Sequence, residues 1–474
     1  MLSSFNGNLR VGITYAVGDF LAIGTRYAPT IAYAFFLSAA EFGILAVTMV
    51  VYMVMGILVV FGLRGAAFKQ SFEYADKEEK RSFYGSLWLF LVIAGALFTF
   101  LVDFFWSAYF PNIFTNVAYD PYIRLALWAS YLNGFGIVIY EIYRAQSAPL
   151  PYVSLSFANA FTLAGLSIWF VGPLHQGVLG AVGALVFTGL IWAVIYSLAM
   201  LPHINLRLDL TKLRKALAYS LPLVPHFLAH WVLNLSDRIV LERTVSIGEV
   251  GVYSFGYNLG NLQQVFANSG NSTLMPQYGA AQQAHGKQRR LSGLFTKYIA
   301  VMAATTLAIS IFSDEFLIAF IPQHYYFASA VVPWVALGFF SVSLYYGPMN
   351  TVTLLAGRTR WVWLFTLMAG VVNVGSNMVF VPRFGILAAA VNSLLGYLIL
   401  FLLITWYSRG LGGPPYEWKR IGLISAALVV AIIADRSWAP ASLGLETLVD
   451  ALLVFVFLFV FLGREWSARP KRAG

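Results

Sequence analysis

Residues 216–238 read ALAYSLPLVPHFLAHWVLNLSDR, and residues 246–272 read SIGEVGVYSFGYNLGNLQQVFANSGNS. Each is a mostly apolar run long enough to cross a bilayer, and each carries polar groups at helical spacing. The first sets His226, His230, Asn234 and Asp237 on one helix face, behind Pro222 and Pro225, and ends at Arg238. The second sets Tyr253, Tyr257, Asn261, Gln264 and Asn268 at steps of four, four, three and four. Polar groups in hydrocarbon are expensive, so they face a bundle interior or a water-filled cavity. Two such stripes on consecutive helices therefore predict two walls of one hydrated cavity, as in a transporter.

The composition agrees. The chain has 474 residues, 59% hydrophobic and 11% charged, where a soluble protein carries roughly a quarter charged residues. Apolar runs recur from end to end and predict an all-α polytopic membrane protein of about fourteen spans. These fall at 11–36, 42–64, 84–107, 121–143, 151–172, 178–200, 216–237, 248–272, 294–313, 326–352, 360–381, 385–407, 419–434 and 446–463. The apolar stretch Phe316 to Pro322 is too short to span and predicts an interfacial or re-entrant turn. Arg10 precedes the first apolar segment without a small-residue cleavage site, which predicts a retained signal-anchor.

The absence of cysteine excludes disulfides, thiol catalysis and thiolate metal sites. The net charge of +10 would raise nucleic acid as a partner of a soluble protein. Here the positive-inside rule accounts for it, so no nucleic acid is expected. With the N-terminus in the cytoplasm, all of the 30 Lys and Arg except Arg26, Arg124, Arg238, Arg243, Arg383 and Arg436 fall on the cytoplasmic side. That bias predicts both termini inside and an even number of spans.

An internal repeat is visible. Ser38-Ala-Ala-Glu41-Phe-Gly43 returns 208 positions later as Ser246-Ile-Gly-Glu249-Val-Gly251. The same offset aligns Gly177-Val-Leu-Gly-Ala-Val with Gly385-Ile-Leu-Ala-Ala-Ala. A shift of six helices preserves orientation, so the repeats are parallel and related by an axis along the membrane normal, a common transporter plan. The predicted organisation is an N-terminal lobe at 1–205, a C-terminal lobe at 206–410, and two further helices with a cytoplasmic tail at 411–474.

These elbows carry a family resemblance. Phe36-Leu-Ser-Ala-Ala-Glu41-Phe-Gly43-Ile-Leu-Ala resembles the first elbow of polysaccharide transporters in the multidrug/oligosaccharidyl-lipid/polysaccharide exporter superfamily. Ser220-Leu-Pro222-Leu-Val-Pro225, Ser236-Asp237-Arg238-Ile-Val-Leu and Glu249-Val-Gly251-Val-Tyr253-Ser are similar to its second elbow, and Phe380-Val-Pro382-Arg-Phe-Gly385 to its turn before helix twelve. The resemblance implies a flippase for undecaprenyl-pyrophosphate-linked oligosaccharides, working by alternating access in the bacterial cytoplasmic membrane. It implies O-antigen, capsule or exopolysaccharide synthesis, with a polysaccharide polymerase and co-polymerase as partners. It implies no covalent chemistry and no cofactor; protons, sodium and the membrane potential stay open as driving forces.

Individual residues are weighed against plain structural roles. Arg26 lies mid-helix with Asp19 two turns earlier on about the same face. It is expected to meet a pyrophosphate, which Arg grips bidentately, unless the two charges only satisfy each other. The His226/His230 pair has metal-ligand spacing but no third ligand in view; a cavity wall, or a pH-sensitive role, fits better. Glu41 and Gly43, like Asp237, Arg238, Glu249 and Gly251, are read as elbow or gating structure, with Glu249 and Arg243 as ion-pair partners for Asp237 and Arg238. The stripe from Tyr253 to Asn268 offers neutral donors, acceptors and aromatic faces suited to sugars; Asn350 and Asn377 extend it. Glu141 and Arg144 are read as an interfacial pair. The competing readings are a lipid II flippase, a multidrug and toxin extrusion antiporter (a family of twelve helices), and a membrane-embedded glycosyltransferase.

Overall fold

The computed structural model describes residues 27–109, 113–281, 288–437 and 443–463. Among them there is helix and no strand. The helices are α1 (27–36), α2 (Ala39–Val59), α3 (Leu63–Lys69), α4 (Lys77–Tyr109), α5 (Arg124–Asn133), α6 (Gly136–Ala145), α7 (Pro149–Val171), α8 (Gly177–Met200), α9 (Leu210–Ser220) and α10 (Val224–Leu235). They continue as α11 (Asp237–Thr244), α12 (Ile247–Gly260), α13 (Leu262–Ala281), α14 (Gln288–Ile311), α15 (Ser313–Phe320), α16 (Val332–Asn350), α17 (Val362–Ser408), α18 (Trp418–Ser437) and α19 (Leu443–Leu458). The protein is a multi-pass membrane protein: among the described residues, eight helical segments are long and apolar enough to cross, and a ninth forms if Gln323–Ala330 and Val332–Leu355, bent by 44°, make one span.

Two expected spans are fused in α17. Its 47 residues would extend about 70 Å at the α-helical rise, more than twice the hydrocarbon thickness. The helix is kinked at Gly385, where φ is +62° and ψ is −146°, a conformation only glycine adopts without strain. The first pass therefore ends and the second begins where two separate helices are expected. Gly177, 208 residues earlier, also has a positive φ of +54° and opens α8. Of the first expected span, 11–36, residues 11–26 lie outside the described residues. The other remaining expected spans, in α12–α13 and α18–α19, are helical but dilute their apolar runs with polar residues or are short. The stretch around Phe316 forms the eight-residue helix α15.

Helix starts follow local chemistry. The Asp209 side chain accepts from the Thr211 and Lys212 amides at the start of α9, and Asp76 does the same for Glu78 and Glu79 at the start of α4. Both satisfy amides that would otherwise be orphaned at an N-terminus. Pro149 opens α7, where a missing N–H costs nothing.

The chain divides into two compact units, Met1–Gly251 and Val252–Gly474. In the first, α2 packs on α5 and α8, and α7 on α8. Small side chains permit the closest approaches: a Cβ on Gly85 would lie 2.0 Å from the Asn205 carbonyl oxygen. In the second unit, α16 packs on α13, α14 and α17, and α14 also packs on α18 and α19. Its core gathers Tyr278, Phe295, Ile299, Ala303, Leu307 and Leu428. Both units turn large apolar side chains outward, such as Phe104, Phe161 and Val194 in the first and Val371, Val430 and Phe455 in the second. A lipid-facing surface is made this way, because hydrocarbon leaves association to close packing and polar contacts.

The unit boundary lies 46 residues beyond the 205/206 division that the repeat predicts. The segment α9–α11, which the repeat assigns to the second set of six, packs on α2, α3 and α4. Lys215 Nζ pairs with Glu73 at 2.6 Å, Gln70 donates to the Lys215 carbonyl at 3.3 Å, and the Lys69 ammonium sits 4.6 Å over the Tyr219 ring.

Candidate functional site

The two elbows are built alike. At the start of α2, the Ser38 hydroxyl accepts from the Glu41 amide at 3.3 Å, and the Glu41 carboxylate accepts from the Ser38 amide at 2.9 Å. At the start of α12, Ser246 and Glu249 repeat this at 3.3 and 3.1 Å. Each is a capping box, in which serine and glutamate satisfy each other's backbone donors. The two helices then cross at their glycines. A Cβ on Gly43 would lie 1.9 Å from the Ile247 carbonyl oxygen, and a Cβ on Gly251 would lie 1.9 Å from that of Ala39. These contacts are reciprocal under the 208-residue shift, and no residue but glycine fits at either position.

The charged stretch between α10 and α12 is tied down at several points. The Glu249 carboxylate serves Ser246. Arg243 donates through Nε to the Ile113 carbonyl at 3.0 Å. Buried Arg238 pairs with its neighbour Asp237 at 3.3 Å. Glu242, to which sequence reasoning assigned no role, is fully buried. It accepts from the Thr115 amide at 2.7 Å and from the Asn116 amide, pinning the 113–116 loop to α11. Its isolated acidic letter gave no sign of this.

Asp19 and Arg26 lie outside the described residues. Pro222 and Pro225 are exposed; Pro222 sits inside the 3-10 turn Leu221–Leu223 that separates α9 from α10, and Pro225 in the first turn of α10. His226 is half-buried beside the Phe227 ring, His230 is exposed, and Asn234 donates to the His230 carbonyl at 2.5 Å. Charge in this unit is met by charge. The buried Glu141 takes both Arg64, at 2.7 Å, and Arg144, at 3.3 Å, so the expected pair is a triad. Arg124 likewise bridges Asp103 at 3.1 Å and Asp120 at 2.5 Å, and Trp128 donates to Asp103 at 3.0 Å.

The second stripe changes surroundings along its length. Tyr253 and Tyr257 are buried; Tyr257 packs edge-on to Phe339 and lies 3.3 Å, hydroxyl to hydroxyl, from Tyr397. The helix breaks between Gly260 and Leu262. Beyond the break, Asn261 and Gln264 are half-buried and Asn268 is exposed. Asn268 accepts from the Tyr346 hydroxyl, and Asn350 donates to Asn271 at 2.7 Å, so α13 and α16 share a neutral polar face. Gln263, one position off the stripe, is buried and holds Met302 and Thr305 of α14 at 3.1 and 2.8 Å. Asn377 takes part in a different, buried cluster: it donates to Asn373 at 3.3 Å and accepts from Asn392 at 2.9 Å. Among the described residues, no group of three or more His, Asp or Glu is arranged to hold a metal ion.

Known structures share this fold. A structure of the lipid II flippase MurJ, in an inward closed conformation, superposes with a TM-score of 0.77 at 12% identity, covering 96% of this chain and 100% of that one. An inward-facing multidrug resistance MATE family transporter of the MOP superfamily gives 0.67 at 15% identity over 85% and 96%. A Vibrio cholerae MATE transporter gives 0.56 at 14% identity over 84% and 94%. Sequence comparison with curated proteins finds no match. Residues 12–281, more than half of the chain, match the model of the polysaccharide biosynthesis protein family, and the chain belongs to that family.

Proposed function

We propose that this protein is a flippase that moves undecaprenyl-pyrophosphate-linked oligosaccharide units across the bacterial cytoplasmic membrane for O-antigen, capsule or exopolysaccharide synthesis. The observation that carries this is the match of residues 12–281 to the polysaccharide biosynthesis protein family. The neutral face of Asn268, Asn271, Tyr346 and Asn350 supports it, since uncharged amides and a phenol suit sugar hydroxyls and ring faces. Alternating access of lobes 1–205 and 206–410, with 411–474 appended, is the proposed cycle. Arg26, with Asp19, is the proposed contact for the pyrophosphate. The elbow groups Glu41, Gly43, Glu249 and Gly251 are the proposed gate framework. Both termini are placed in the cytoplasm, and a polymerase and co-polymerase are the proposed partners.

A second function is favoured by one observation: the lipid II flippase fold covers 96% of this chain, against 85% for the MATE fold. A lipid II flippase would be essential. Deleting the gene therefore separates the two. A viable strain that loses surface polysaccharide is expected, and lysis would assign the chain to lipid II instead. In the viable strain, Arg26→Ala should abolish polymer export while the protein still inserts; unchanged export would remove Arg26 from the site.

A further inference from the structure

Acidic side chains from three helices gather where α15, the end of α18 and the first turns of α19 meet. Arg436 is the cation there. Its Nη1 pairs with Asp314 at 2.6 Å, and its Nη2 donates to the Ser310 carbonyl, the Ser313 hydroxyl and the Ser329 carbonyl at 3.2, 3.0 and 3.1 Å. None of these contacts reaches Glu315 or Asp450. Glu315 is 7% exposed and Asp450 is 1% exposed. Neither carboxylate receives a donor on either oxygen. Asp450 arrives from a separate helix, and its carboxyl is aimed at those of Glu315 and Asp435.

Two ionised carboxylates are acceptors only, so they repel when they meet in a buried site; with one proton between them they form a hydrogen bond. The charged groups facing Asp450 are Asp435 from α18 and Glu315 from α15; Asp435 in turn also faces Arg436 and Asp314. The other helix packed along α19 is α14, whose last thirteen residues, from Ile299 to Ile311, contain no titratable side chain. Among the described residues, Arg436 is the one cation acting on this group, and a single positive charge does not neutralise three carboxylates. A divalent metal ion is the other agent that could, but the described side chains are not arranged to hold one.

We propose that Glu315, Asp435 and Asp450 form a proton-binding site, in which a shared proton fastens α19 to α15 and α18. The proton comes from the solution at this end of the bundle and returns to it, and no bond other than O–H forms or breaks. The folded protein then binds more protons than the unfolded chain above the ordinary carboxylate range, so its stability falls as pH rises. The site is separate from the helices that carry the candidate sugar face, and it stands or falls independently of the transported substrate.

The chain has no cysteine, so a spin-label pair can be placed at Ile433 and Phe455, both exposed on α18 and α19, in the full-length protein in nanodiscs. The distance distribution should be narrow at pH 5.5 and broaden at pH 8.5. Asp450→Asn, which keeps the shape and supplies a fixed N–H donor, should be narrow at both. Melting temperature should fall by at least about 4 °C across this range in the unlabelled protein and by under about 1 °C in Asp450→Asn. Glu315→Gln should flatten the profile likewise, and it serves if Asp450→Asn does not fold. An unchanged wild-type distribution across pH would overturn the proposal. So would a full pH response in both variants, or narrowing at pH 8.5 on adding calcium chloride.

Discussion

The two units differ in the polar clusters they keep among helices. In Met1–Gly251, charge answers charge: Arg64–Glu141–Arg144 and Asp103–Arg124–Asp120 are both three-membered ion clusters. In Val252–Gly474, beside the Arg436–Asp314 pair, amides and hydroxyls answer one another: Asn373–Asn377–Asn392, Asn271–Asn350, Asn268–Tyr346 and Tyr278–Tyr416–Thr351. The backbone nevertheless repeats at 208 residues, in the capping boxes, the glycine crossing and the positive-φ glycines. A duplicated framework therefore fixes helix starts and crossings, while side-chain chemistry is free to diverge. Neutral amides lose little when water leaves and returns, which suits a face meeting a sugar; ion clusters hold only in fixed geometry.

The shared framework breaks hardest at the crossing. Gly251→Val would place a side chain where the Ala39 oxygen already sits at 1.9 Å. The elbow must separate, and a loss of about 3 kcal/mol or more is expected. Thermal unfolding in detergent measures it. Gly165→Ala is the control: nothing lies within 4 Å of its added methyl, so it should be neutral or stabilising by a few tenths of a kcal/mol. Equal effects of the two would mean that the elbows do not cross at Gly251.

Next in size is the charge in the first unit. Glu141→Gln leaves Arg64 and Arg144 without their carboxylate, but their side chains are 56% and 46% exposed and can turn to water. The cost should be about 2 kcal/mol, below the 3–5 kcal/mol typical of a fully buried pair. The loss should shrink in high salt, which a buried amide cluster would not show.

Asn377→Ala tests the second unit by the same measurement. It strips the acceptor from Asn392 and a donor from Asn373, all three nearly or fully buried. Hydrogen bonds between membrane helices average only about 0.6 kcal/mol, but orphaned partners raise the cost to about 1 kcal/mol. A loss greater than that of Glu141→Gln would reverse the contrast between the units.

Much of this architecture was legible in the letters. Apolar runs mark the helices because hydrocarbon thickness demands about twenty residues, and the pairs Gly43/Gly251 and Gly177/Gly385 disclose the repeat because those backbone positions tolerate no side chain. The site was harder. The steps from Tyr253 to Asn268 assume one continuous helix, and the break after Gly260 leaves the tyrosines inside and Asn268 outside. Periodicity cannot register a break without a proline or a polar gap. Glu242 and Asp450 were illegible for another reason: each depends on partners far away in sequence, in the 113–116 loop and in α15 and α18. Glu249 reads as elbow structure from the sequence, but its exact contact does not, because a capping box and an ion pair use the same letter, and only the serine three residues earlier separates them.

The smallest expected effect bears most directly on function. Asn268 is exposed, and its recorded side-chain partner is the Tyr346 hydroxyl, so Asn268→Leu should change stability by under about 0.6 kcal/mol. If the neutral face of α13 and α16 meets sugar, the same change removes about one hydrogen bond from the passing substrate. One such bond is worth roughly threefold in transport. The measurement is surface polymer produced per flippase molecule inserted, with Phe266→Leu on the same helix, also exposed but apolar, as the control. A threefold drop confined to Asn268 would tie the amide chemistry of the second unit to the sugar. Equal export by both variants would leave that chemistry with a purely structural role, and the difference between the units would then be one of packing alone.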